Sequence, residues 1–225
     1  TLIDSLIPPH PDQVVSAGRA VEALVLSILD GHHALYKVGR RLDERGMLPL
    51  LQPGLEPQSL HDSRLGQTLD DLYDANLHTV FSAIALRALD IYRVDTPWLH
   101  QDTTTISFYG AYEEEGVDQK GPRPTYGYSK DGRGDLKQVI LSMGVSGDGG
   151  IPLRMGLHDG NRSDTVDVPQ AIEQSAALDL DGLRGLVADS KAYTPRTLGV
   201  CQETGMGLVT LAPRTCAIRQ EVERW

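Results

Sequence analysis

The sequence predicts two domains of different class. Residues 1–95 read as an all-α domain, and residues 96–225 as an α/β domain on a mixed sheet in the order β-β-β-α-β-α-β. Three observations predict this. Before Pro97 the apolar residues recur at helical spacing, and after it they alternate or form short runs bounded by turns. Three strand-like segments come first in the second half, which suits antiparallel pairing. Apolar runs and amphipathic stretches then take turns, the pattern of parallel strands joined by helices.

The helical elements follow in order. "VVSAGRAVEALVLSILDG" has Ser16 as N-cap, apolar residues at Val21, Leu24, Val25, Ile28 and Leu29, and Gly31 as a stop. "HALYKVGRRLDERG" is a second amphipathic helix ending at Gly46. "PLLQPGLEPQS" is a Pro-rich break, and "DSRLGQTLDDLYDAN" and "LHTVFSAIALRALDIYRV" are two further helices. The strands begin with residues 98–109, followed by a polar, Gly-rich segment over 110–136. "KQVILSMGVSGDGGIPLRMGLHDGN" is two apolar runs around a hairpin turn. A helix over "SDTVDVPQAIEQSAALDL" leads to a short strand, "LRGLVADS", that ends on Asp189. Thr194-Pro195 opens the next helix, Gly205 closes it, and "GLVTLAP" is the last strand.

Composition narrows the function. The 225 residues carry a net charge of −10, from 31 acidic and 21 basic residues. That argues against a uniformly basic nucleic-acid surface and leaves room for a local basic patch. Cys201 and Cys216 form no Cys-x-x-Cys pair, which points to a reducing compartment and away from a disulfide scaffold or structural zinc. No run of about 18 apolar residues occurs, so no membrane helix is expected, and no secretory leader opens the sequence. Both ends read as cut, so the chain is expected to be a fragment.

Asp102 and Asp189 are the candidate chemical groups. Each is a carboxylate in or at the end of an apolar strand, where an unpaired charge is costly. The two lie 87 residues apart, on strands that this element order can set side by side. Paired carboxylates repel unless a cation lies between them. Magnesium or manganese, hard ions with oxygen ligands, suit such a pair and can promote phosphoryl displacement. The plainer reading is that Asp189 merely ends a strand and caps the next turn.

The motifs "HQDTTT…GYSKDGRGDLKQ…GNRSDT…VADSKAY", in this order, resemble the DDE transposases of bacterial insertion sequences. The resemblance runs over essentially the whole chain. It implies a ribonuclease-H-like core behind a helical N-terminal domain that binds DNA ends or supports assembly. It implies that Asp102 and Asp189 are catalytic and hold Mg2+ or Mn2+. It further implies metal-dependent cleavage of double-stranded DNA at terminal inverted repeats, then strand transfer to target DNA, in a bacterial cytoplasm at the nucleoid. A homodimer is the candidate assembly, with no membrane partner. The family's third acid is a Glu in a Tyr-x2-Arg-x3-Glu-x6-Lys pattern. Glu203, Glu221 and Glu223 do not match it, so that acid is expected beyond Trp225 and this chain alone is expected to be inactive. The alternative is an inactive DNA-binding or assembly fragment.

Other residues carry weaker readings. His100 shares the face of Asp102 and is a candidate supporting partner, or a strand-end residue bonded to backbone or water. Lys130, Arg133 and Lys137 in the Gly-rich loop suit phosphate contacts, although Asp131 and Asp135 offset them. Lys191 and Arg196 follow Asp189 near a helix start, a second place for phosphate, or are solvated charges. Asn161 and Asp164 could orient water or substrate, or simply form a loop and an N-cap. "SGDGG" is a turn rather than a phosphate loop, since no Lys-Ser/Thr pair follows.

Overall fold

The computed structural model describes residues 1–112, 121–129, 132–178, 180 and 182–216, with backbone only at 164 and 165. The chain divides into two compact units, Thr1–Ile84 and Ala85–Trp225. The division falls inside a helix that the sequence assigns wholly to the helical domain.

The first unit is helical: α1 Leu2–Leu6, α2 Ala17–Leu29, α3 Leu35–Glu44, α4 Leu48–Leu51, α5 Asp62–Asp74 and the start of α6 Leu77–Tyr92. Ser16 caps α2 by accepting from the Arg19 amide at 3.3 Å. The Asp4 carboxylate accepts from the Gly18 amide at 2.8 Å and so docks α1 on the first turn of α2. The core gathers Val15, Ala20 and Ala23 with Val38, Leu42, Leu48, Leu51, Leu55, Leu60 and Leu65. The Pro-rich stretch is more ordered than expected. It forms α4 and a 3-10 turn over Pro57–Leu60, because Pro49 lies in a first turn, where its missing N–H costs nothing. Leu51 and Leu55 of this stretch, with Leu48 and Leu60 on its flanks, then anchor it in the core.

The second unit contains β1 Trp98–Phe108, β2 Lys137–Ser146, β3 Pro152–Asp159, α7 Asp164–Ala177, β4 Gly185–Val187, α8 Pro195–Thr204 and β5 Gly207–Val209. They build one mixed sheet in the order β3-β2-β1-β4-β5. β1, β2 and β3 pair antiparallel, while β4 pairs parallel with both β1 and β5. The hairpin turn closes through the Ser146 amide donating to the Ile151 carbonyl at 2.9 Å. Thr194 caps α8, and Gly205 ends it in the left-handed region at φ 71°. β4 is shorter than expected and stops at Val187, two residues before Asp189.

The chain between β1 and β2 is tied down where it meets the sheet. Thr125 and Gln138 exchange both backbone hydrogen bonds, at 3.0 and 2.9 Å. Gly160 fits closely there: a Cβ on it would lie 1.9 Å from the Gln138 carbonyl and 2.5 Å from that of Thr125. Gly160→Ala is therefore expected to force the two backbones apart and cost roughly 1–3 kcal/mol. The check is the urea midpoint, and an unchanged midpoint contradicts this packing.

Candidate active site

The site is built on β1, which has partners on both edges. Its alternation sorts the side chains. Leu99, Gln101 and Thr103 are buried, while His100, Asp102 and Thr104 face outward. The register against β4 sets Trp98, Leu99 and His100 opposite Gly185, Leu186 and Val187, a constant offset of 87 residues. Asp102 and Asp189 stand at that same offset, just past the end of β4.

An open cleft of about 690 Å³ lies on the outward face. Its lining includes His100, Asp102 and Thr104 of β1, Leu141, Met143 and Val145 of β2, and Val187, Ala188 and Asp189 beyond β1's other edge. Both aspartates thus share one cleft with a partly apolar floor. Each is also oriented by backbone. Asp102 Oδ1 accepts from the Thr103 amide at 2.7 Å, and Asp189 Oδ1 accepts from the Lys191 amide at 3.0 Å. The Ala188 amide donates to the Val209 carbonyl at 3.0 Å, which fixes the chain as it leaves β4.

The donor set fits a hard divalent cation. Carboxylates brought together repel, and a cation between them removes the repulsion. Magnesium often takes only one or two carboxylates and completes its shell with water and phosphate. No group of three His, Cys, Asp or Glu side chains converges among the described residues, so a closed protein cage is not what these residues build.

The other predicted residues scatter. His100 lines the cleft, and its ring lies over the hairpin turn, 3.4 Å from where a Cβ on Gly147 would stand. Asn161 is exposed in the turn after β3 and does not line the cleft. Lys130 and the Asp164 side chain lie outside the described residues, as do Glu221 and Glu223. Glu203 is exposed on α8 and is absent from the lining. Arg133 makes a two-pronged bond to Asp135, at 2.8 and 2.7 Å, and stacks 5.7 Å from the Tyr109 ring centroid. The Asp135 bond holds Arg133 above its ordinary pKa, and Arg133 in turn pulls Asp135 down to about 2. Lys137 Nζ donates to the Tyr112 carbonyl at 2.6 Å. Lys191 Nζ lies 6.0 Å from the Tyr128 ring centroid, and Arg196 is exposed in the first turn of α8.

The opposite face of β1 holds a buried polar network that sequence reasoning missed. Gln101 Nε2 donates to Ser142 Oγ at 2.8 Å and to Asp167 Oδ2 at 3.2 Å, and Ser142 Oγ donates to the same Oδ2 at 2.8 Å. Arg154 Nη1 donates to Ser142 Oγ at 2.7 Å and to Gln101 Oε1 at 3.2 Å, while its Nε donates to Gln174 Oε1 at 2.8 Å. Gly144 makes the room. It pairs with Gln101 on one side and Arg154 on the other, and a Cβ on it would stand 3.0 Å from Gln101 Oε1. His158 Nε2 lies 3.1 Å from Asp167 Oδ1, close enough for an ion pair but not aligned for a hydrogen bond. The available signal was parity: Gln101, Ser142 and Arg154 all occupy core-facing strand positions where an apolar residue is the norm.

The family described as a domain of unknown function, DUF4277, matches residues 1–86. No curated protein matches. Three solved structures are similar at 10% identity over 92% of this chain. They are a Mos1 transposase paired-end complex with the left transposon end (TM-score 0.33), a pre-cleavage Mos1 transpososome (0.34) and a Mos1 mariner paired-end complex with Mn (0.33). This chain spans 61% of the length of each.

The Asp167 carboxyl gives the buried network a pH signature. Burial pushes its pKa up, but the contacts with His158 and Ser142 and the charge of Arg154 outweigh that and hold it below the ordinary value. Its stabilising share is therefore complete above the ordinary carboxylate range and disappears as pH falls through the lowered value. Asp167→Ala leaves Arg154 buried without its counter-charge, so a loss of roughly 3–5 kcal/mol is expected at pH 7. Urea unfolding of the two proteins across pH 2 to 7 checks this; the gap should narrow at the acid end. A gap that is constant with pH contradicts the assignment.

Proposed function

We propose that this chain carries the catalytic region of a DNA transposase of the DDE class, acting on phosphodiester bonds with divalent-metal assistance. The single observation that supports it most is the placement of Asp102 on the outward face of β1 and of Asp189 just past the end of the parallel strand β4, at the register offset of the two strands and in one cleft. The sequence motifs around both aspartates, which resemble that class, support it from an independent side.

In this reading Asp102 and Asp189 hold a magnesium or manganese ion. Such an ion, when bound, activates water and stabilises charge on a phosphodiester. The protein's own part is to keep two oxygens fixed through the Thr103 and Lys191 amides, with Asp102 on the sheet itself and Asp189 two residues past its strand β4. Lys191 and Arg196 after Asp189, with Lys130 and Arg133 from the β1–β2 connection and Lys137 at the start of β2, contact phosphates and set position without reading sequence. Arg133 contributes least, since Asp135 occupies its guanidinium fork. His100 supports the Asp102 side of the cleft, and Asn161 and Asp164 are the weakest members of the proposed site. The core is ribonuclease-H-like in this reading. The helical unit binds the element's ends or joins copies of the chain.

A second reading is favoured by one observation: only two acids line the cleft among the described residues. A transposase core needing three acids would be inactive in this chain, leaving a DNA-binding or assembly module. One experiment separates the readings. DNA carrying the element's terminal repeats is incubated with the full-length protein and Mn2+. Nicking at the repeat ends is expected, falling to background in Asp102→Ala and in Asp189→Ala. Nicking that survives either substitution refutes the proposal, and salt-sensitive binding without any nicking supports the module instead.

A further inference from the structure

We infer that residues 126–128 form a stacking platform for an unpaired DNA base next to the two-aspartate cleft, a proposal that rests on the DNA reading above. A lone exposed tyrosine is ordinary; three features set this one apart. Tyr128 is 84% exposed, the highest value of any described aromatic residue, and Tyr126 two residues earlier is 61% exposed. The backbone that presents them is nonetheless clamped. Gln138, itself 1% exposed, donates from Nε2 to the Tyr128 carbonyl at 3.1 Å and to the Gly160 carbonyl at 2.8 Å. Gly127, between the two tyrosines, sits so close to Gly160 that a Cβ would meet its carbonyl oxygen at 2.0 Å.

The third feature is position. Lys191 Nζ lies 6.0 Å from the Tyr128 ring centroid, and the Lys191 amide is the group that holds Asp189 Oδ1. The ring is therefore coupled, through one residue, to a wall of the cleft. A ring held open on a rigid backbone with an ammonium beside it matches a nucleotide, which offers a π-face for the ring and a phosphate for the cation. Base pairs inside a duplex hide their faces against their neighbours, so the ligand is an unpaired nucleotide, at a frayed end or displaced from the stack. Because the Tyr128 carbonyl is already held by Gln138, little ordering cost attaches to the contact.

The test compares two DNA duplexes of one sequence in a buffer with EDTA. One is fully paired and the other has three unpaired nucleotides at one end. Fluorescence anisotropy at low salt reads binding by the 225-residue chain. The unpaired end is expected to bind roughly tenfold more tightly. Tyr128→Ala should erase that preference while leaving affinity for the paired duplex within about twofold, and Tyr128→Phe should retain it. Equal binding of the two duplexes by the unaltered chain, or a preference that survives Tyr128→Ala, overturns the platform and leaves the DNA reading intact. No binding to either duplex overturns both. The readout needs no metal, so failure of the aspartate site does not enter it.

Discussion

The parallel pairing of β1 with β4 is the contact on which the candidate site depends. Only three residue pairs define it, Trp98 to Gly185, Leu99 to Leu186 and His100 to Val187. A slip of one residue would turn the side chains of a strand to the other face. Asp102 and Asp189 would then no longer share a cleft. The register is held by burial: Leu99 and Leu186, opposite each other, are 1% and 0% exposed. Hydrophobic packing on one face thus positions charge on the other. In the proposed reading, a cation held by both carboxylates offsets the repulsion between them.

The two faces of β1 perform different tasks with the same alternation. Inward, Gln101 joins Ser142, Arg154 and Asp167 in a network that spans β1, β2, β3 and α7. Outward, Asp102 stands next to Gln101 in sequence, on the face of the cleft. A buried polar network is demanding about geometry, because each unmet hydrogen bond is costly in a low-dielectric interior. It therefore fixes the strand from behind, and Asp102 inherits that rigidity. Salt and solvent weaken the outer charges such as Arg133–Asp135, whereas the buried set is shielded from both.

Much of this could be read from residues. The offset between the aspartates was legible because apolar runs bracket each and the helix between them suits a parallel crossover. The hairpin was legible from "SGDGG", and the start of α8 from Thr194-Pro195. What stayed hidden depends on long-range contact. Helical structure in the Pro-rich stretch needs leucines that meet a core formed elsewhere. The Gln101 network needs three strands in register plus a gap at Gly144, and no local pattern announces that. Tyr128 reads as a loop residue until Gln138, ten positions on, is found to clamp its carbonyl.

The most direct test of the central claim asks whether Asp102 and Asp189 bind one ion together. Mn2+ is titrated into the isotope-labelled chain while amide signals are followed for paramagnetic broadening. The Thr103 and Lys191 amides, which hold the two carboxylates, should broaden first and with the same half-saturation. Replacing either aspartate by asparagine should abolish broadening at both. If the two amides respond at different Mn2+ concentrations, or one still broadens after the other aspartate is replaced, the aspartates are separate groups and the account fails.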